Sequence, residues 1–163
     1  MTKSNQSPES AIGSDSSPFP SRIASGSATF GHTTMPRADD PVTIVQRQLD
    51  AFNARDLDTL LAVYAEDAEL FEHPAKLLAS GAAALRERFK VRFQEPNLFA
   101  TLLSRTVMGP IVVDHEEVSR TFPEGTGKIR LIMIYEVQHG RIIKAWSIAG
   151  VKTLDTLGQA MGK

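Results

Sequence analysis

Apolar residues recur at helical spacing from Ile44 and at alternate positions from Leu98, so the change of period divides the chain into a helical part and a strand part. Asp40-Pro41 opens the helical part, a capping residue followed by proline at a position where the missing N–H is no loss. The spacing of Ile44, Val45, Gln48, Leu49 and Phe52 predicts a helix through VTIVQRQLDAFN, and Asn53-Ala54-Arg55 breaks it. Asp56 caps a second, shorter helix through Leu57, Leu60, Leu61 and Tyr64. After a turn at Glu66-Asp67, Ala68 to Glu72 alternates as a first strand. Ser80-Gly81 opens a third helix with Leu85, Phe89 and Phe93 on one face, while Arg86, Arg88, Lys90 and Arg92 form a solvated surface around the others. Glu95-Pro96 ends it, because the residue before a proline is pushed out of the helical region.

The strand part holds four segments, LFATLLSRTVM, IVVDHEEVSRTF, IRLIMIYEV and RIIKAWSIA. They are joined by turn chemistry at Gly109-Pro110, at Pro123 to Gly127, and at His139-Gly140. The predicted sheet is an antiparallel meander, and three helices ahead of it make an α+β fold with the helices on one face of a curved sheet. In IRLIMIYEV one parity holds Ile129, Leu131, Met133, Tyr135 and Val137, the other Ile132 and Ile134 between Arg130 and Glu136. Both faces are partly apolar, so the face the helices leave open is expected to pair with a second copy in a homodimer.

Ahead of this lies a stretch of different texture. Nine of the first 34 residues are Ser, mixed with Pro and Gly and without periodic apolar positions. Residues 1–38 therefore read as a disordered leader, 39–152 as the folded domain and 153–163 as a C-terminal tail. Met35, just ahead of the ordered region, is a candidate native start, and Glu9 and Asp15 argue against a transit peptide. The 163 residues, 42% of them hydrophobic, suit one domain with one core. A formal net charge of -1 offers no footprint for nucleic acid or an anionic membrane, and no apolar run approaches the roughly 20 residues of a membrane span. With no cysteine there is neither a disulfide framework nor a thiolate nucleophile, and a cytoplasmic location is expected.

The ordered set VQRQLDAFNARDLDTLLAVYAEDAELFEHP, SGAAALRERF and YEVQHGRIIKAW resembles the nuclear transport factor 2-like superfamily, in its SnoaL-like and ketosteroid-isomerase-like branch. The resemblance covers about residues 41–150 and implies a cone-shaped α+β barrel in which three N-terminal helices and a curved, mainly antiparallel sheet enclose a mostly apolar cavity. It implies a small apolar molecule as ligand and no cofactor. The fold hosts isomerases, cyclases, hydrolases and non-catalytic binders, so the residues must decide. A ketosteroid isomerase uses an Asp base and an oxyanion hole of a Tyr and a protonated Asp. Matched by motif, the base position falls on His73, the tyrosine on Gln48 and the protonated Asp on Ile134, which cannot donate. The Arg-x-Asp strand motif of the fold's epoxide hydrolases is absent from the four segments.

His73 is the first candidate acid/base, since imidazole titrates near neutrality and Pro74 holds it at a strand end. Glu72, of opposite parity, is expected to be solvated. Asp114-His115-Glu116-Glu117 is the densest ionisable cluster, and alternation lets only one pair face a cavity. Asp114 and Glu116 are the carboxylates expected to orient His73. Gln48, Phe52, Tyr64, Ile132, Ile134 and Trp146 are the expected ligand-binding residues, although parity leaves Tyr135 and Trp146 open between pocket and dimer face. No short ligand spacing supports a metal site. The reading is a small-molecule enzyme acting on an apolar carbonyl or hydroxyl compound, with a non-catalytic binding or dimerising module as the alternative.

Overall fold

The first two helices begin where an aspartate side chain accepts one of their unpaired N–H groups. In the computed structural model, which describes residues 37–156, Asp40 accepts the Thr43 N–H at 3.3 Å and starts α1 (Pro41–Ala54). Asp56 accepts the Thr59 N–H at 3.0 Å and starts α2 (Leu57–Ala62). Arg55, in the left-handed region at φ 55°, ends α1 and turns its backbone N–H to the Ala51 and Phe52 carbonyls. Residues 1–36 of the leader predicted over 1–38, and residues 157–163 of the predicted tail, lie outside the described residues.

Two strands follow, β1 (Tyr64–Glu72) and β2 (Lys76–Ser80), then α3 (Gly81–Arg92) and the long strands β3 (Phe99–Met108), β4 (Ile111–Phe122), β5 (Gly125–Gln138) and β6 (Arg141–Leu154). The sheet runs β2-β1-β6-β5-β4-β3. All pairs are antiparallel except β1 with β6, which is parallel and sets Leu70 beside Ala145 and Phe71 beside Trp146. The fold is thus the expected α+β cone with helices on one side of a curved sheet, but the sheet is not closed: β2 and β3 remain edges. Sequence reading carried α2 through Tyr64, whereas Tyr64 is the first residue of β1, and it missed β2.

Strand alternation assigns the two faces. On β4, Val112, Asp114, Glu116 and Val118 are buried, and on β5 Tyr135 and Val137. These side chains meet Val45 and Leu49 of α1 and Leu85 and Phe89 of α3 in two apolar clusters, with Phe52 and Phe93 packed against both. Gly150 lies where a β-carbon would come within 2.8 Å of the Arg130 carbonyl, so β6 crosses β5 closely at the bulge that bends it. No helix among the described residues is long and apolar enough to cross a membrane.

Candidate active site

A cavity of about 240 Å³ lies between α1, α3 and the inner face of the sheet. Phe52, Leu70, Phe89, Leu131 and Met133 give it apolar walls. Four polar residues line it at depth: Gln48 from α1, Tyr64 from the start of β1, Glu116 from mid-β4 and Tyr135 from β5. All four are nearly fully buried. Each is placed there by periodicity, Gln48 by the helical repeat that buries Val45 and Leu49, Glu116 and Tyr135 by the parity they share with Val118 and Met133.

Glu116 is the chemically distinctive member. One of its carboxyl oxygens is buried without a hydrogen-bond partner, which is rare for a native polar group. Burial, and after it the charge of Asp114, raise its pKa from 4.5 to about 7, with Arg105 opposing. At neutral pH the carboxyl therefore passes readily between acid and base. The Tyr64 hydroxyl is also buried without a partner, and desolvation holds the phenol above its ordinary pKa, so it stays a proton donor. Tyr135 donates to Gln48 Oε1 at 3.1 Å and is likewise raised by burial.

Asp114 plays a different part from the one expected of it. Fully buried one pleat away from Glu116, it is gripped by Arg105 of β3 through Nε at 2.6 Å and Nη2 at 2.7 Å. Arg105 also donates to Gln46 Oε1 of α1 at 3.0 Å. Both carboxylate oxygens are thus occupied, and Asp114 does not line the cavity; its fixed negative charge acts on Glu116 instead.

The structure brings Gln48, Phe52, Tyr64 and Glu116 of the sequence-predicted residues together on the cavity wall and leaves the others off it. His73 is exposed at the end of β1, where its backbone N–H donates to the Ser147 carbonyl at 2.9 Å, and it is not part of the wall. Glu72, expected to be solvated, is exposed and yet lines the cavity's outer end. Ile132, Ile134 and Trp146 have the parity of the opposite face of the sheet: Ile134 pairs in register with Trp146, which stacks on Phe71 at 5.8 Å between ring centroids. Tyr135, left open by parity between pocket and dimer face, lies on the cavity side with Met133. Arg105 escaped sequence reading, since it reaches Asp114 across a strand pair whose register shifts between Leu102 and Ser104. Among the described residues no group of three His, Asp or Glu side chains is placed to hold a metal ion.

Helices laid on the inner face of a bent sheet, over an apolar cavity, make the fold of the ketosteroid-isomerase-like solved structures. The chain belongs to the SnoaL-like domain family, whose model matches residues 45–145. Among solved structures, an uncharacterized cystatin-fold protein from Novosphingobium aromaticivorans is 18% identical with a TM-score of 0.62, over 66% of this chain and 97% of that one. A putative polyketide cyclase from Sinorhizobium meliloti is 25% identical with a TM-score of 0.55, over 64% of this chain and 92% of that one. An epoxide hydrolase of the LEH-like type from M. tuberculosis is 16% identical with a TM-score of 0.58, over 68% and 82% respectively. No curated protein matches the sequence.

Proposed function

We propose that the protein is an enzyme that moves protons on a small, largely apolar carbonyl compound, with Glu116 as the acid/base. The observation that carries this reading is the buried Glu116 carboxyl in the cavity wall, its Oε1 without a partner, with its pKa raised to about 7. In the carboxylate form Glu116 removes a proton from the carbon beside the carbonyl. The carbonyl oxygen, gaining negative charge, accepts a hydrogen bond from the unpartnered Tyr64 hydroxyl. Glu116 then returns the proton to a second carbon, which gives an isomerisation, or the nucleophilic carbon adds to a second carbonyl carbon of the same molecule, whose π electrons move to its oxygen and take the proton from Glu116, which gives a cyclisation. General acid/base transfer of this kind contributes roughly 10²–10⁴ in rate. The similarity to a putative polyketide cyclase supports this class of chemistry without fixing the substrate.

The test needs no knowledge of the natural substrate. Small cyclic enones incubated with the protein in heavy water should take up deuterium beside the carbonyl, read by proton NMR, and Glu116→Gln should reduce uptake to the buffer rate. Uptake at the buffer rate with wild-type protein would overturn the reading and favour a non-catalytic binding module.

The outer face of the sheet supports a homodimer. Phe71, Trp146 and Ile148 adjoin Ile132, Ile134 and Val113 across the registered strands β1, β6, β5 and β4. Charges of both signs border this patch, Glu136 beside Lys144 and Glu117 with Arg130, so a second copy turned about a two-fold axis can meet it without like charges facing. Sedimentation should give twice the chain mass at micromolar concentration, and Ile134→Glu should give a monomer. A wild-type monomer would overturn the dimer.

A further inference from the structure

Sequence reading makes the arginines of α3 a solvated surface, yet Arg88 and Arg92, one turn apart on that helix, line the cavity, and Arg120 of β4 joins them. Two of the three share one carboxylate as partner. Glu95 accepts from Arg92 Nη1 at 2.7 Å and from Arg120 Nε and Nη2 at 2.7 and 2.8 Å. Arg88 makes no hydrogen bond or ion pair among the described residues, although it is half-buried. Burial and the neighbouring Arg92 both press its guanidinium toward the uncharged form, and the Glu72 charge opposes them from beyond ion-pair distance. Glu72 itself is exposed, with Lys76 at 3.9 Å as its nearest cation. Three guanidinium groups thus line the cavity; Glu95 is shared by two of them, Glu72 has Lys76 beside it, and Arg88 is left unpaired among the described residues.

We infer that the part of the cavity lined by these arginines is an anion subsite in which Arg88 takes the carboxylate of an amphipathic acid, whose apolar body lies along Phe89, Leu131 and Met133 toward Glu116. The inference rests on the reading of Glu116 as the reacting group and adds the substrate class, a small apolar carboxylic acid that also carries a carbonyl. A guanidinium presents a planar fork that matches a carboxylate through two parallel hydrogen bonds. A bound carboxylate would supply the counter-charge that the half-buried Arg88 lacks. The spacing fits an elongated molecule: Arg120 lies four residues from Glu116 on the same face of β4, about 13 Å along the strand. The cavity volume, about 240 Å³, equals that of roughly eight waters of liquid, so the acid is small.

Calorimetric titration of the full chain with hydrocinnamate and with its primary amide separates charge from shape, since the two have the same outline. Wild-type protein should bind the acid about tenfold more tightly than the amide, the scale of one charge-assisted hydrogen-bonded contact. Arg88→Met should equalise the two and keep the melting temperature, because Arg88 has no partner to lose; Arg88→Lys should restore part of the preference. Millimolar inorganic phosphate should leave hydrocinnamate binding unchanged. Equal affinity for acid and amide, binding of neither, a preference that survives Arg88→Met, or displacement by phosphate would each overturn the carboxylate subsite. Glu116→Gln should keep the preference for the acid. Loss of deuterium exchange in wild-type protein with that preference intact would sink the role of Glu116 and leave the subsite standing.

Discussion

Replacing Glu116 by Gln should make the protein more stable above neutrality while it removes the chemistry. The Glu116 pKa rises from 4.5 to about 7 on folding, so the folded state holds this proton more tightly than the unfolded chain. Its contribution to stability is fully present below the unfolded value and is lost as pH rises through the folded one. The gap between the two values corresponds to about 3 kcal/mol, lost between about pH 4.5 and pH 7 and constant above that. Gln has nearly the same shape and no charge at any pH, so the variant lacks this slope. Urea denaturation of both proteins at about pH 5 and about pH 8 isolates the effect, because the rest of the sequence is the same in both and cancels in the difference. At the higher pH the variant should gain about 2–3 kcal/mol, or roughly 1–2 M in urea midpoint, and at the lower pH the two should nearly coincide. Parallel curves, with the same difference at both pH values, would show that the carboxyl is not strained by its surroundings and would refute the reasoning.

Arg105→Met should destabilise the fold by about 3–5 kcal/mol in urea melts near neutrality, since it strands the buried Asp114 carboxylate, and adding Asp114→Leu should restore most of that loss. His73→Asn should leave deuterium exchange at the wild-type rate, because the side chain is exposed and off the cavity wall. Tyr64→Phe should change stability by less than about 1 kcal/mol, since its hydroxyl has no partner to lose, yet slow exchange by about 10²-fold or more if the hydroxyl meets the developing negative charge.

The helices and the long strands were legible because their signals are local. Asp40 and Asp56 cap the helices they precede, and His139-Gly140 turns β5 into β6 with His139 at φ 50° and Gly140 at φ 71°. What local pattern does not carry is pairing between distant segments. The parallel contact of β1 with β6 joins residues more than 70 positions apart, and β2 is five residues with a single buried position, too short for alternation to stand out. The site divides along the same line. Glu116 stands out in the sequence as a candidate because it sits in a dense ionisable cluster, where strand parity joins it to Asp114. What distinguishes the two is what lies across the sheet: Arg105 claims Asp114, whereas Glu116 Oε1 is buried without a partner. His73 was favoured for its place before Pro74, a motif that fixes where a strand ends and leaves open which way the last side chain points. Arg88 was read as solvent-facing because helical charge usually is; the bend of the sheet beside α3 is what encloses it.

The most direct test of the account is the titration of Glu116 itself. In protein carrying carbon-13 at the glutamate carboxyl, the Glu116 resonance can be assigned as the one missing from Glu116→Gln and followed from acid to alkaline pH. The account predicts a midpoint near 7, about two and a half pH units above the ordinary glutamate value of 4.5. A midpoint at the ordinary value would contradict it, because a carboxyl already fully ionised at neutral pH is not the poised acid and base that the cavity is proposed to hold.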